Sequence, residues 1–265
     1  MLRLHKYPRT PHVEGSRPQP GDEELASVPF RTLAGRHLVV EEKLDGANVG
    51  VSFGPSGELR LQSRGHFLDG GQREQQFNFF KAWAACHQAR LFEALGTRYV
   101  VYGEWLYAKH TLFYDALTHY FLEFDVLDTG TAAFLATHHR RALLVGLPVV
   151  SVPVLHAGPI PTLTHLRAMI GPSRFKSPAW HARLRDVCVA QRLDPWQVLS
   201  ETDPTDTMEG LYVKVEADGR VLERYKLLRA SFLDTVAQSG SHWLDRPIVP
   251  NQLRPGVDLF GELPG

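Results

Sequence analysis

The sequence predicts an α+β fold built of mostly antiparallel sheets flanked by helices. Three observations carry this. Apolar and polar residues alternate in several short runs, and hairpin-type turns join them. Segments with three- and four-residue apolar spacing interrupt those runs rather than alternating with them one for one. Finally, 265 residues, 43% of them hydrophobic, are enough for one large core and leave no low-complexity tract.

The elements follow in order. Residues 1–35 are rich in Pro, Gly and charge (YPRTPHVEGSRPQPGDEE) and read as an irregular arm packed on the domain. RHLVVEEK and ANVGVSF read as strands, and GPSG turns the second into ELRLQSR. The spacing of apolar residues predicts one helix over 74–95. RYVVYGEWLY and HYFLEFDVLD read as two more strands. Helices are predicted over about 131–145, 162–170 and 178–193, with Pro and Gly between them. EGLYVKVEADGRVLERYKLL reads as a hairpin turned by ADGR. A short helix near 230–238 and a Pro-rich tail to 265 complete the chain.

Composition narrows the function classes. The formal net charge is zero, which argues against a uniformly basic coat for nucleic acid and leaves room for a local basic groove. Cys86 and Cys188 stand alone and suggest neither a disulfide framework nor a zinc site. The 13 histidines show no metal-ligand spacing. No apolar run is long enough to span a membrane, and the first residues lack the apolar core of a signal peptide. The expectation is a reduced, cytoplasmic protein.

The run EEKLDGANVGVSF raises the chemical question. The chain has seven lysines against 22 arginines, yet it places Lys43 at the end of a strand, just before Asp45-Gly46. Lys43 is either an ordinary strand-edge charge or an amine that must lose its proton, which arginine cannot do. Further short motifs follow in order: SRG with Arg64, YGEW with Glu104, FLEFDVLD with Phe124, EGLYVK with Glu209 and Lys214, and RYK with Arg224 and Lys226. Residues two apart in a strand face the same way, so Arg224 and Lys226 address one target. Taken singly, each has an ordinary reading. Phe124 fits a core, Glu104 a satisfied strand carboxylate, Arg64 a turn, and Lys214 and Lys226 a solvated hairpin. The ordered series is what distinguishes the chain.

That series resembles the covalent nucleotidyltransferases, meaning the ATP-dependent DNA and RNA ligases and the mRNA capping enzymes, over residues 41–226. KLDGAN, with Asn48, is similar to the opening of the RNA ligase 2-like enzymes; Ala47 departs from their usual Ser or Thr. The resemblance implies an adenylyltransferase fold over 36–229 with a short C-terminal helix and tail over 230–265. About 39 residues follow Lys226, too few for the OB-fold domain of DNA ligases and capping enzymes. It also implies roles. Lys43 would attack the α-phosphate of ATP, giving lysyl-AMP. Glu41 or Glu42 would lie beside the adenine, and Phe124 would stack on it. Glu104 would hold a ribose hydroxyl, and Arg64 and Asn48 would contact sugar or phosphate. Lys214, Arg224 and Lys226 would bind phosphates, and Glu209 would bind hydrated Mg2+ or Mn2+.

The expected function is ATP-dependent joining of RNA 5′-phosphate and 3′-hydroxyl ends in RNA repair. An end-healing polynucleotide kinase or phosphatase would be a fitting partner. The alternatives are a DNA nick-sealing ligase, a capping-type guanylyltransferase, or a nucleotide-binding subunit that needs a partner for ligation.

Overall fold

A long antiparallel sheet organises the molecule. The structure, a computed structural model, describes residues 3–16, 24–25, 27–238 and 246–261; the rest of the arm and the end of the tail lie outside the described residues. The strands are β1 (His12–Val13), β2 (Ser27–Val28), β3 (Leu38–Lys43), β4 (Ala47–Phe53), β5 (Leu59–Ser63), β6 (Tyr99–Trp105), β7 (Phe121–Asp128), β8 (Ala133–Leu135), β9 (Val150–Ser151), β10 (Val154–Gly158), β11 (Gly210–Ala217) and β12 (Arg220–Leu228). The helices are α1 (Asn78–Cys86), α2 (Gln88–Leu95), α3 (Thr137–Leu144), α4 (Leu163–Arg167), α5 (Trp180–Ala190), α6 (Pro195–Ser200) and α7 (Ala230–Gln238).

The main strand order is β10-β3-β11-β12-β8-β7-β6-β4-β5, antiparallel throughout. The sheet stays open, so the expected α+β class holds. Strand alternation feeds several hydrophobic cores, and β4 and β3 contribute to different ones. Val49, Val51 and Phe53 of β4 pack with Phe80, Trp83, Leu91 and Leu95 of α1 and α2. Leu38 and Val40 of β3 pack with Leu211, Val213 and Val215 of β11, against Phe30, Leu33 and Leu166. The residues between them in sequence (Asn48, Gly50, Ser52; Glu41, Lys43) are thereby turned to the other side of their strands. The β11–β12 turn puts Asp218 (φ 51°) and Gly219 (φ 74°) in the left-handed region, the geometry a two-residue hairpin needs.

Two predicted helices are corrected. The segment 74–95 is a 3-10 turn followed by α1 and α2, broken at His87 (φ −103°, ψ 11°). The break lets Phe80, Trp83 and Ala84 and then Leu91 and Leu95 reach one core from differently directed helices. Within 131–145, the first residues form β8, where Phe134 pairs with both Leu127 and Val221 and so joins the two halves of the sheet. Periodicity within a segment cannot report a pairing made with strands elsewhere in the chain. The Pro-rich tail is tied in by Asn251, whose side chain accepts from the Tyr114 amide (2.8 Å) and donates to the Leu106 carbonyl (2.8 Å).

Candidate active site

Lys43 ends β3 at the head of a cleft of about 240 Å³, where it is bounded by β4, β6, β7, β11, β12 and the N-terminal segment. Its Nζ lies 2.7 Å from Glu209 Oε1. Glu209 directly precedes β11, and the register pairs its neighbour Gly210 with Lys43, so the sheet itself sets this approach. A Cβ at Gly210 would lie 2.1 Å from the Leu227 carbonyl oxygen, so only glycine fits where β11 runs this close to β12. Asp45 shapes the turn after Lys43: its Oδ2 accepts from the amides of Thr111 and Leu112, both at 2.7 Å. Glu104, across from Asn48 on β6, accepts from the Gly46 amide at 3.1 Å.

Carboxylates, not cations, are the charged groups that act on Lys43. Burial disfavours the Lys43 ammonium, but Glu209, Glu104 and Asp45 outweigh it and hold the amine above its ordinary pKa. Burial pushes Glu209 and Glu104 up to about 7, with Lys43 pulling both the other way. Glu42 is also raised to about 7 by burial, against hydrogen bonds from Ser173 and the Arg174 amide. The neighbouring carboxylates thus favour the ammonium form of Lys43, and burial favours the protonated forms of Glu209 and Glu104.

Beside Lys43, Asn48 Oδ1 and Glu209 Oε2 are among the buried atoms that have no hydrogen-bond partner among the described residues. Buried polar atoms are ordinarily satisfied, so these two mark where a ligand belongs. No group of three His, Cys, Asp or Glu side chains that could hold a metal occurs among the described residues. A lone carboxylate with a free oxygen suits a hydrated divalent cation that takes its remaining ligands from water and phosphate. Phe124 is half-buried on the cleft wall, held edge-on by Tyr7 (5.2 Å between centroids) and tilted against Tyr212 (6.0 Å). Arg64, Arg9 and Lys226 also line the cleft. The arrangement combines an aromatic platform, a strand-end amine, a carboxylate with a free oxygen and cations at the rim. It can accept a nucleotide and place an amine at its phosphates.

The sequence profile of the RNA ligase family matches residues 36–228. This chain belongs to the RNA ligase family. No curated protein matches it. Similar solved structures include a variant of the Naegleria gruberi RNA ligase with ATP and Mn, at 19% identity and TM-score 0.54, covering 87% of this chain and 58% of that one. An apo variant of the same ligase matches at 19% identity and TM-score 0.55, covering 87% and 57%, and that ligase with PPi at 19% and 0.52, covering 87% and 57%. At such identities the likeness concerns the fold. This chain spans less than two thirds of the length of those ligases.

In this RNA ligase family member, the structure gathers Glu41, Glu42, Lys43, Asn48, Arg64, Glu104, Phe124 and Lys226 around the cleft, with Glu209 on Lys43. The carboxylates of Glu41 and Glu42 also meet protein partners: Arg140 and Lys214 on Glu41, and Ser173 and the Arg174 amide on Glu42. Lys214 and Arg224 are corrected. Neither lines the cleft. Lys214 is fully buried against Glu41 (2.9 Å) and Asp125 (3.2 Å), and Arg224 binds Asp125 (2.9 Å). With Arg140 bonded to Glu41 and Glu123, these residues form a buried cluster of three cations and three carboxylates. Burial of so much charge is tolerable only when it is paired in this way.

Sequence reasoning missed Tyr7, Arg9, Thr10, Leu44, Val152 and Tyr212 on the cleft wall, and Arg140 behind it. Tyr212 was within reach, since it shares a face of β11 with Lys214 by alternation. Tyr7, Arg9 and Thr10 gave no local signal in a Pro-rich arm.

Proposed function

We propose that this protein is an ATP-dependent RNA ligase that works through a covalent lysyl-AMP on Lys43. The observation that carries the reading is Lys43 Nζ at 2.7 Å from Glu209, in a cleft that also holds Asn48, Glu104, Phe124 and Lys226. Phe124 offers its face to the adenine. Glu104 would hold a ribose hydroxyl, and Asn48, Arg64 and Lys226 would contact sugar and phosphate oxygens. A bound Mg2+ or Mn2+, which Glu209 would hold, supplies positive charge beside the amine and the phosphates.

Lys43 must first lose the proton that Glu209, Glu104 and Asp45 help it keep. Its nitrogen lone pair then attacks the α-phosphorus. A P–N bond forms, the P–O bond to the β-phosphate breaks, and pyrophosphate leaves. An RNA 5′-phosphate oxygen next attacks the same phosphorus, breaking the P–N bond and returning the electron pair to Lys43. Finally, an RNA 3′-hydroxyl attacks the 5′-phosphate, loses its proton and expels AMP. Such a ligase consumes 5′-phosphate and 3′-hydroxyl ends, so an enzyme that prepares those ends is a natural partner.

The test is incubation with ATP labelled at the α-phosphate and Mg2+ or Mn2+, followed by denaturing electrophoresis. Label should travel with the protein, survive alkali and be released by acid, as a phosphoramidate requires. Label that persists on Lys43→Ala protein would overturn the assignment.

A further inference from the structure

A second cavity lies on the same sheet face as the nucleotide cleft, and strand register connects the two. Three adjacent strands contribute three rows of side chains. In the first row, Asn48 faces Glu104 on β6, and Arg64 follows β5; all three line the nucleotide cleft. Two residues along, Gly50 lies between Tyr102 and Gln62. Two residues further, Ser52 lies beside Arg60, with Val100 next in the β6 series, and these line a cavity of about 550 Å³. First and third rows stand four residues apart, about 13 Å along the strands.

The N-terminal segment crosses the middle row and divides the face. The His5 carbonyl accepts from Gln62 Nε2 (2.7 Å) and from Tyr102 Oη (2.6 Å). A Cβ on Gly50 would crowd Gln62 (3.0 Å) and Tyr102 (3.3 Å), the two side chains that pin the segment. Tyr7 and Arg9 therefore face the nucleotide side, while Arg3 and His5 face the second cavity.

The second cavity carries the chemistry of single-strand recognition. Arg60 and Arg3 supply positive charge, and Phe67 supplies ring surface. Arg60 Cζ sits 5.9 Å from the Phe67 centroid, and its buried Nε has no partner among the described residues. Glu58 is the opposing charge: it holds the outer end of Arg60 at 2.9 Å and accepts from the Ser56 amide at 3.0 Å. Cations beside stacking surfaces are what sequence-tolerant binding of a single strand uses.

We propose that this second cavity is a docking subsite for the RNA strand, with Arg60 and Arg3 on its phosphodiesters and Phe67 beneath a base. The proposal rests on the ligase reading, which names RNA as the substrate. The subsite lies outside the adenylylation machinery, so lysyl-AMP formation does not depend on it.

The test uses the full chain and a fluorescein-labelled single-stranded RNA of about ten nucleotides, within the span of such sites. Arg60→Ala should weaken RNA binding about tenfold and flatten its salt dependence by roughly one phosphate contact, with Lys43 labelling by ATP unchanged. Glu58→Gln removes the competing anion while keeping an acceptor for the Ser56 amide, and should tighten RNA binding severalfold. If R60A destabilises the hairpin, E58Q still decides. Unchanged affinity and salt slope in both variants would overturn the proposal, as would R60A losing RNA binding and labelling together while E58Q binds no tighter. Failure of the unaltered protein to label at all would instead speak against the ligase reading, leaving the RNA-binding result to stand separately.

Discussion

Replacing Arg140 by Met should be among the most destabilising single changes available outside the hydrophobic cores. Arg140 is fully buried and bridges Glu123 (2.6 Å) and Glu41 across β7 and β3. Removing it leaves two cations against three carboxylates. Glu41 keeps Lys214 at 2.9 Å, but Glu123 keeps only the Ser151 hydroxyl at 2.7 Å. Removing one partner of a buried pair costs about 3–5 kcal/mol, because the other charge is left uncompensated. In a chain of this size each kcal/mol lowers the melting temperature by about 2–4 °C, so R140M should melt about 10 °C lower. Thermal unfolding followed by circular dichroism measures this. Adding Glu123→Gln to R140M should return about half of the loss, since it removes the stranded charge, and the double-mutant cycle isolates that coupling. A melting temperature within a degree or two of the unaltered protein would refute the reasoning. So would E123Q deepening the loss, which would mean that Glu123 is not held by Arg140.

Further outcomes follow from the same geometry. Because carboxylates hold Lys43 above its ordinary pKa, single-turnover formation of lysyl-AMP should accelerate from neutral towards alkaline pH; a rate that falls over that range contradicts an ammonium form at neutral pH. Phe124→Ala should raise the KM for ATP by roughly 5- to 150-fold, the worth of one base–aromatic stack, and a change under twofold would remove Phe124 from the adenine. Glu104, whose pKa is raised to about 7, contributes stability that is present below the ordinary carboxylate range and is lost as pH rises through 7. Glu104→Gln should therefore raise the melting temperature by a few degrees at pH 8 and leave it unchanged at pH 5. A gain of equal size at both values would assign the effect to packing.

How much could be read in advance depended on whether a signal was local. ANVGVSF alternates cleanly and is strand β4 end for end. ADGR forced the hairpin because only Asp218 and Gly219 had to adopt positive φ. Lys43, Asn48, Glu104 and Phe124 fell in short motifs whose order was informative, and the fold brings all four to one cleft. Lys214 and Arg224 show the limit. Alternation gave the face of the strand each one takes, but not that Asp125 and Glu41, from two other segments, hold them behind the cleft wall. Arg140 itself lay within the helix predicted over about 131–145. Nothing near it in sequence announced that it would be fully buried.

The same capture explains why the cleft can hold Lys43 as an ammonium without becoming inert. Arg140, Lys214 and Arg224 are paired with carboxylates behind the wall, and the charged groups acting on Lys43 are Glu209, Glu104 and Asp45. Glu209 and Glu104 have pKa values near 7, where a small change in local charge moves a proton. Cations placed permanently around Lys43 would favour a neutral amine, reactive towards any electrophile that entered. Carboxylates favour the opposite: on the proposed mechanism the amine would stay protonated until positive charge arrives with the substrate. Glu209 is the pivot, because one of its oxygens holds Lys43 and the other is free. A divalent cation on that free oxygen would draw the carboxylate's charge away from the ammonium. On the proposed mechanism, loading of the site and deprotonation of Lys43 would be coupled through this one side chain.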